Sequence, residues 1–468
     1  MPSLHTLYQR LPYPLRVAMA STKGYSLRRW RYGPETDRLI ADIHSREKWS
    51  AEQWRSWQAE RLSLVLERAV KEVPYYRDYW REHSTPGDSE PWRNLANWPI
   101  LKKDVVRSNS RAFVSEACSI WKMATNETSG TTGTPVSFYR TLDTVRLCYA
   151  FFEARVRQWH GVSWKHRWAI LGGHLVAPFH QKKPPFWVWN IALNQLYLST
   201  HHLTAQHTKS FVDAMRRHRA NHLVTYPASG KVMADHMLEQ SLEAPPLRAV
   251  FSNAEGLTPA ARDSMTRAFG CPVVDTYGMG EHVLAASECP EGRMHTWPEM
   301  GLIEVFDDFE DRPVNDGEAG RLILTGLLNA DMPLIRYEVG DRGRLATSDT
   351  TCRCGRTLPC LAAIEGRASD LLVTPDGRRI FWLNPTFYGL PVREGQIIQE
   401  RLDRIEVRVL PAAGFGEADK ATIIQRLRER VGEVDIRVNV VDHIPRLASG
   451  KFRPVICKLN LSTVSHNG

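Results

Sequence analysis

The stretch Ser129-Gly130-Thr131-Thr132-Gly133-Thr134-Pro135 carries the strongest signal for the fold, with two glycines among four side-chain hydroxyls. Glycine permits backbone angles that other residues avoid, and successive N–H groups in such a turn form a cradle for anions. The composition therefore favours phosphate binding. It is not a Walker loop, because that pattern requires a lysine which this stretch lacks. An ordinary Gly/Thr turn is the alternative interpretation.

On the carboxyl side of this stretch, short β-type runs alternate with helical segments. The runs are HRWAILGG (166–173), HLVTYP (222–227), RAVFSN (248–253) and CPVVDTYG (271–278), and the helical segments cover 205–218 and 258–269. This alternation is typical of layered α/β folds. Residues 301–345 add strand-like segments with turn signals, which predict a mostly antiparallel part.

The two ends of the chain have different patterns. Residues 35–83 repeat apolar positions at helical spacing, for example Leu62, Val65 and Leu66, and predict helices that stop at Pro74 within a helical part of about 1–85. After residues 365–370 the sequence pattern predicts a small α+β domain. We therefore expect a large domain over 1–369 and a small one over 370–468.

Composition and charge exclude several classes of protein. The chain has 468 residues, a net charge of +9 and 43% hydrophobic residues, as expected of a soluble globular protein. It lacks an uninterrupted apolar run of the ~18 residues that a membrane helix needs. A signal-peptide pattern is also absent, so we expect a cytoplasmic location. Without an Arg-rich helix or a basic/aromatic repeat, nucleic acid is not an expected partner.

A second group of polar residues, Asp275 to Glu281, follows the apolar strand CPVV (271–274). Ligands bind at strand ends in α/β proteins. A carboxylate at Glu281 could hold Mg²⁺ beside phosphates, and Tyr277 could stack on a base. The alternative is a loop with one surface acid.

Two further signals lie near the carboxyl end. Asp341 follows a short glycine turn after Arg336-Tyr337 and suits hydrogen bonds from both hydroxyls of a ribose, although turn aspartates are common. Lys451, in IPRLASGKFR (444–453), places a charge on a long stem that could neutralise a carboxylate and a phosphate approaching each other. A solvated terminal lysine is the alternative.

Taken in order, these motifs resemble those of the adenylate-forming superfamily, specifically the phenylacetate-CoA ligase branch and its relatives from capsular polysaccharide gene clusters. The resemblance covers most of the chain from residue 73 onward. It rests on VPYYR (73–77), PILKKD (99–104), SGTTGTP (129–135), YP (226–227), SNAE (252–255), YGMGE (277–281), RYEVGD (336–341), EGRASD (365–370) and SGK (449–451).

The resemblance implies an α/β fold with a large, multi-subdomain AMP-binding domain and a small, mobile α+β domain that carries the catalytic lysine. It also implies an enzyme that works in two steps. A carboxylic acid and Mg·ATP give an acyl-adenylate and pyrophosphate, and a nucleophile, for which coenzyme A is the leading expectation, then takes the acyl group. Rotation of the small domain would separate the steps.

Motif position also implies the role of each residue. Lys451 would catalyse adenylation, Glu281 would hold Mg²⁺ and Asp341 would bind ribose. Residues 252–255 and Tyr277 would line adenine. The complete expected ATP site comprises Ser129, Gly130, Thr131, Thr132, Gly133, Thr134, Ser252, Asn253, Ala254, Glu255, Asp275, Tyr277, Gly278, Asp341 and Arg367.

The acyl pocket is expected among apolar and aromatic residues, which suits an aryl or arylacetic acid, although core packing would give the same pattern. His174 and His282 could contact the substrate or be structural histidines. The expected pocket residues are Phe151, His174, Tyr226, Pro227 and His282.

The hinge departs from the family pattern. Where the family usually has Gly-Arg-x-Asp-Asp, this chain has GRASD (366–370), followed by TPDGRRIFWLNP (374–385). These residues help to shape the thiol-entry side, so an amine or hydroxyl acceptor is the alternative to coenzyme A. A catalytically silent relative that acts in assembly is a second alternative. A homodimer would be unsurprising.

Eight cysteines are too few for a disulfide scaffold in a chain of this length, but some are clustered. Cys289, His295, Cys352 and Cys354 offer three thiolates and an imidazole, which suit a tetrahedral, structural Zn²⁺. Cys360 is a substitute ligand. Reduced cysteines without metal are the alternative.

Overall fold

The computed structural model describes residues 4–83, 89–128, 136–178, 180–347, 352–367, 371–376, 379–380, 383–387, 389–446 and 452–459. Within these ranges the chain is α/β, as predicted. No described helix is long and apolar enough to cross a membrane.

Helices dominate the amino-terminal part, as predicted. They are α1 (Leu4–Arg10), α2 (Tyr13–Arg31), α3 (Thr36–Ser45), α4 (Ala51–Glu72), α5 (Pro74–His83), α6 (Pro91–Ala96) and α7 (Lys103–Ser108). A capping box of Ser50 and Gln53 begins α4, which buries Leu62, Val65 and Leu66. Pro74 separates α4 from α5, but it also begins α5, because proline fits the first turn of a helix.

A hairpin and a helix follow: β1 (Ala124–Thr128), β2 (Val136–Arg140) and α8 (Leu142–Phe152). The hairpin pairs Thr128 with Val136, so the segment 129–135 connects its two strands. That segment lies outside the described residues. At its end, α8 continues into a π-helical turn at Glu153–Arg157.

A six-stranded sheet forms the centre of the large domain. Its strands are β3 (Trp168–Gly172), β4 (Trp187–Asn190), β5 (Gln195–Ser199), β6 (His222–Thr225), β7 (Ala249–Ser252) and β8 (Val273–Val274), in the order β4-β5-β3-β6-β7-β8. All neighbours are parallel except β4 and β5. The helices α9 (Ala205–Arg217), α10 (Pro227–Glu239) and α11 (Pro259–Phe269) connect strands and pack on the sheet. Because parallel strands are covered on both faces, their apolar runs are almost entirely buried.

A seven-stranded antiparallel sheet lies beside it, in the order β12-β13-β14-β15-β11-β10-β9. Its strands are β9 (Thr276–Gly278), β10 (Ala285–Glu288), β11 (Met294–Thr296), β12 (Gly301–Phe306), β13 (Gly320–Gly326), β14 (Tyr337–Leu345) and β15 (Cys360–Arg367). This confirms the antiparallel part predicted over 301–345.

The carboxyl-terminal domain has its own core. It contains β16 (Leu372–Val373), β17 (Arg379–Ile380), β18 (Val392–Arg401), β19 (Arg404–Pro411), α12 (Glu417–Val431), β20 (Asp435–Val440) and β21 (Val455–Cys457). Ile423, Leu427 and Val431 of α12 pack on the sheet β20-β19-β18-β21. The α+β prediction is confirmed. The boundary expected at 369/370 falls on residues 368–370, which lie outside the described residues and leave it a prediction.

Candidate active site

One cleft of about 2110 Å³ brings together most of the expected ATP-site and acid-pocket residues that the structure describes. It lies at the carboxyl ends of β6, β7 and β9, where polar residues follow the strands, and residues 452–455 of the carboxyl-terminal domain also line it. The expected residues that line it are His174, Tyr226, Pro227, Asn253, Ala254, Glu255, Asp275, Tyr277, Gly278, Glu281, His282 and Asp341.

Other expected residues do not line the cleft or lie outside the described residues. Ser129, Gly130, Thr131, Thr132, Gly133, Thr134, Lys451 and the side chain of Arg367 lie outside the described residues. Asn126, at the entrance to the first of these segments, donates a hydrogen bond from Nδ2 to the carbonyl of Gly280 over 3.3 Å. The hairpin that carries the Gly/Thr stretch is therefore attached to the YGMGE segment.

Tyr277 and Asp341, expected at adenine and ribose, are in contact. The Tyr277 hydroxyl donates to Oδ2 of Asp341 over 2.8 Å. The two residues are 64 positions apart in sequence and are brought together by the antiparallel sheet, which ties β9 to β14 through β10, β11 and β15. Their proximity is compatible with one nucleoside site.

Glu281 is a buried carboxylate with a cation beside it. Lys103 Nζ donates to Oε1 of Glu281 over 2.9 Å, and the Tyr337 hydroxyl donates to the same oxygen over 3.1 Å. The sequence expectations assigned no role to Lys103 or Tyr337, although both lie in quoted motifs. A hard carboxylate oxygen at the cleft suits Mg²⁺ chemically.

Asp275, two residues before Tyr277, also lines the cleft. The Ser252 hydroxyl donates to Oδ1 of Asp275 over 2.8 Å, and Ser252 is fully buried, so its side chain lies behind the cleft wall. Burial raises the pKa of Asp275 to about 6, against the lowering effect of the Ser252 hydrogen bond. The role expected for Ser252 at adenine remains a prediction.

His282 has two partners that define its protonation. Arg140 can only donate, so it donates to Nε2 of His282, and Nδ1–H then donates to the Cys148 sulfur 3.0 Å away. Burial, together with the charge of Arg140, lowers the pKa of His282 to about 3. The ring is therefore a neutral part of the cleft wall, held by neighbours that the sequence did not indicate.

The apolar wall of the cleft includes Phe152 but not the expected Phe151. Phe151 is buried and stacks on Trp297 with ring centroids 6.1 Å apart, whereas Phe152 lines the cleft. The wall residues Cys148, Phe152 and Val156 are four positions apart along α8 and the π-helical turn, and Trp297 and Met300 complete the wall. His174 lies at the cleft, and its backbone N–H donates to the Tyr197 hydroxyl over 3.1 Å.

The Cys/His cluster also forms. One ligand atom each from Cys289, His295, Cys352 and Cys354 lie within 4.8 Å of one another. His295 Nδ1–H donates to the Leu358 carbonyl over 2.9 Å, which leaves the Nε2 lone pair facing Cys354 Sγ at 3.3 Å. Cys360 instead lies 3.3 Å from Nδ1, the other ring nitrogen. Three sulfurs and one imidazole nitrogen fit Zn²⁺.

Two family models match the chain. AMP-binding enzyme matches residues 126–331, and the CapK C-terminal domain matches residues 372–458. The chain is similar to Protein CapK of Staphylococcus aureus, at 26% identity over 96% of this chain and 98% of that protein. It is also similar to phenylacetate-coenzyme A ligases of Aromatoleum evansii, at 25% identity over 71% and 74%, and of Thermus thermophilus, at 23% over 86% and 96%.

Solved structures share the fold. A 2-hydroxyisobutyryl-CoA ligase in its postadenylation state, bound to an adenylate, superposes with a TM-score of 0.68 at 22% identity, covering 88% of this chain and 91% of that one. The same ligase in its thioesterification state gives 0.54 at 21% identity, covering 89% and 92%. The chain therefore shares the fold of this ligase.

Proposed function

Because the chain belongs to the adenylate-forming superfamily, in the branch of phenylacetate-CoA ligase and CapK, we propose that this ligase converts an aryl or arylacetic acid to its acyl-adenylate and then to a coenzyme A thioester. The observation that carries the proposal is the convergence of Tyr277, Asp341 and Glu281 on one cleft that also borders the segment after Lys451.

The proposed reaction has two steps, adenylation and acyl transfer. A carboxylate oxygen attacks the α-phosphorus of ATP, the bond to the bridging oxygen of the β-phosphate breaks, and pyrophosphate leaves with the bonding electrons. The thiol sulfur of coenzyme A then attacks the acyl carbon, AMP leaves, and the thiol proton passes to solvent. Both steps need reactants held in line and negative charge neutralised, which positioned residues can supply.

The charged residues of the cleft are suited to the first step. Glu281 would hold Mg²⁺, which when bound neutralises phosphate charge. Lys103, which is paired with Glu281, places a positive charge next to the proposed Mg²⁺ site. Lys451 would neutralise the approaching carboxylate and phosphate, and the Gly/Thr stretch 129–134 would hold the triphosphate.

We expect the acid pocket to accept an acid whose only charged group is its carboxylate. Cys148, Phe152, Val156, Trp297 and Met300 are apolar or aromatic, and the nitrogens of His282 are both engaged by Arg140 and Cys148. An apolar aryl or arylacetic side chain suits such a wall better than a polar one.

A structural zinc ion is part of the same proposal. Cys289 and His295 come from the β10–β11 region, while Cys352 and Cys354 come from the segment before β15, so zinc there would fasten the two parts together. Metal analysis of untagged protein by mass spectrometry is expected to find one zinc per chain. A metal-free protein of full stability would overturn this part.

The experiment for the main proposal is acid-dependent pyrophosphate release from Mg·ATP. The panel contains aryl, arylacetic and short aliphatic acids, each with and without coenzyme A. We expect release with an aryl or arylacetic acid and stimulation by coenzyme A. Release with only aliphatic acids would contradict the substrate class.

The altered hinge GRASD (366–370) supports an alternative acceptor, an amine or a hydroxyl group. Release that coenzyme A does not stimulate, together with an acylated amine or sugar in the product analysis, would favour this alternative. ATP binding without pyrophosphate release under any condition would favour a silent protein that acts in assembly.

A further inference from the structure

One carboxylate connects the large domain to the segment that follows Lys451. Glu255 Oε1 accepts a hydrogen bond from the backbone N–H of Phe452 over 2.7 Å. Its other oxygen, Oε2, accepts the backbone N–H of Ala228 over 3.1 Å. Phe452 is the residue directly after Lys451. Glu255 therefore touches both domains beside the lysine expected to act in adenylation.

The large domain holds Glu255 in this direction. Ala254 has a φ of 65°, in the left-handed region that residues with a Cβ rarely adopt, and such strain is found where the surroundings require it. Ala228 belongs to the first turn of α10, where N–H groups lack helical partners and negative charge is favoured. The helix end and the strained backbone together orient the carboxylate before any ligand arrives.

The segment after Lys451 belongs to the other domain. The Pro454 carbonyl accepts the N–H of Ile397 over 2.8 Å, and the Arg453 carbonyl accepts Nε2 of Gln396 over 2.8 Å. Both partners lie on β18, so the segment is fixed to the carboxyl-terminal sheet. Any rotation of that domain away from the cleft must therefore break the hydrogen bond between Phe452 and Glu255.

We propose that Glu255 is a positioning residue for adenylation, whose carboxylate holds the Phe452 amide and so keeps the segment 452–455, which directly follows Lys451 in sequence, at the cleft until the carboxyl-terminal domain rotates for acyl transfer. This inference rests on the proposed function, in which Lys451 serves the first step. It assigns to Glu255 a role distinct from the adenine contact expected from its motif.

The first test needs no substrate. Hydrogen exchange of the full chain is followed by mass spectrometry in the peptides that span 445–458, for the wild type and for Glu255→Gln and Glu255→Ala. Loss of a charge-assisted hydrogen bond is expected to speed exchange there by about ten-fold, and peptides from α12 should not change. Unchanged exchange at 445–458 in both variants would overturn the proposal, whether or not the chain proves to be a ligase.

Glu239→Gln is the matched control. Glu239 is another carboxylate of the large domain, and it pairs with the side chain of Arg393 of the other domain rather than with the backbone of the segment after Lys451. We expect its exchange at 445–458 to match that of the wild type. Equal acceleration in Glu239→Gln and Glu255→Gln would mean that any lost contact between the domains has this effect, and would overturn the specific role.

The second test separates the half-reactions, with phenylacetate as the probe acid. Acid-dependent ATP–pyrophosphate exchange measures the first step, and transfer from supplied phenylacetyl-adenylate to coenzyme A measures the second. In Glu255→Gln, kcat for the first step should fall about ten-fold more than the transfer rate, with KM for ATP changed less than about three-fold. Equal loss in both steps, or a change confined to KM for ATP, would assign Glu255 a structural or adenine-binding role instead.

Variants of Phe452, the residue that donates the hydrogen bond, control for local misfolding around Glu255. Phe452→Pro removes the donor N–H and leaves Glu255 intact, and Phe452→Ala retains the N–H but loses the ring. We expect Phe452→Pro to reproduce the slow first step and Phe452→Ala to be much milder. The reverse ranking would show that the ring, which packs under Arg446 at 4.8 Å, holds the segment, and would contradict the proposal.

Discussion

Two groups of candidate metal ligands share the seven-stranded sheet, but they are built differently. Glu281 follows β9 and faces the cleft, with Lys103 and Tyr337 bonded to one of its oxygens. Cys289 and His295, only 8 and 14 positions later in the sequence, meet two further cysteines in a cluster next to Trp54 and Trp159.

The residue types of the two groups suit two different kinds of cation. A single hard oxygen beside a competing lysine suits a hard ion that enters and leaves with phosphates. Three sulfurs and an imidazole, preassembled within 4.8 Å, suit a soft resident ion that stabilises the fold. We therefore expect substitutions in the first group to affect rate, and substitutions in the second to affect stability.

The largest effect is expected on the cleft side, from Lys451→Ala. Loss of one key electrostatic group should lower adenylation about 100-fold or more, measured as acid-dependent ATP–pyrophosphate exchange, with bound zinc unchanged. Lys458→Ala, at an exposed lysine paired with Glu400, is the control and should keep the wild-type rate. A wild-type rate in Lys451→Ala would remove this lysine from the mechanism.

Glu281→Gln tests the cation site directly. The amide retains the shape but loses the charge, so adenylation should fall about 30-fold and require more Mg²⁺, while the melting temperature falls by less than about 2 °C. Rates at several Mg²⁺ concentrations and calorimetry measure both effects, with the exposed turn variant Glu318→Gln as the control. A rate loss without a change in Mg²⁺ dependence would argue against a metal-binding role.

Cys289→Ser tests the Cys/His cluster and is expected to affect stability rather than rate. Loss of one sulfur ligand should release zinc and lower the melting temperature by about 3 °C, with adenylation at low temperature changed less than about two-fold. Zinc content by mass spectrometry and calorimetry give the readout. Cys118→Ser, outside the cluster, should retain zinc. Equal zinc content in both variants would contradict the assigned ligand set.

The smallest effect is expected at Asp275, which lines the cleft and precedes the Cys/His cluster in sequence. Its backbone carbonyl accepts the N–H of Glu288, the residue before Cys289, over 3.0 Å. Its pKa is raised from 3.8 to about 6, mainly by burial, so the folded state favours the protonated form. Its contribution to stability is full below pH 3.8 and is lost as the pH rises through about 6.

The isosteric variant Asp275→Asn resembles the protonated acid, so it should be more stable than the wild type at pH 8, by at most about 3 kcal/mol, and the difference should shrink towards pH 4. Urea unfolding at both pH values measures the difference. Wild-type stability that rises between pH 4 and pH 7 relative to the variant would reverse the sign and contradict the raised pKa.

Local sequence was sufficient for features that depend on neighbouring residues. The strand ends after Val274 and the cysteine spacing could be recognised because backbone preferences act over a few positions. The partners Lys103, Arg140 and Cys148 could not, because they lie 178, 142 and 134 positions from the residues that they contact. The expected pocket residue Phe151 is buried, whereas its neighbour Phe152 lines the cleft: adjacent aromatics point about 100° apart on a helix, and only packing decides which one faces the cleft.

By itself, the sequence determined the α/β class, the order of the nucleotide-binding motifs, the resemblance to adenylate-forming enzymes and the residue types of both candidate metal sites. These features depend on local periodicity and short motifs. Tertiary structure decided that Glu281 is paired with Lys103, that His282 is neutral, that Cys360 faces the other nitrogen of His295, and that Glu255 spans the two domains. Each of these depends on which distant strands the sheets bring side by side, and burial and hydrogen bonding there change the charge and direction of side chains in ways that residue type alone does not specify.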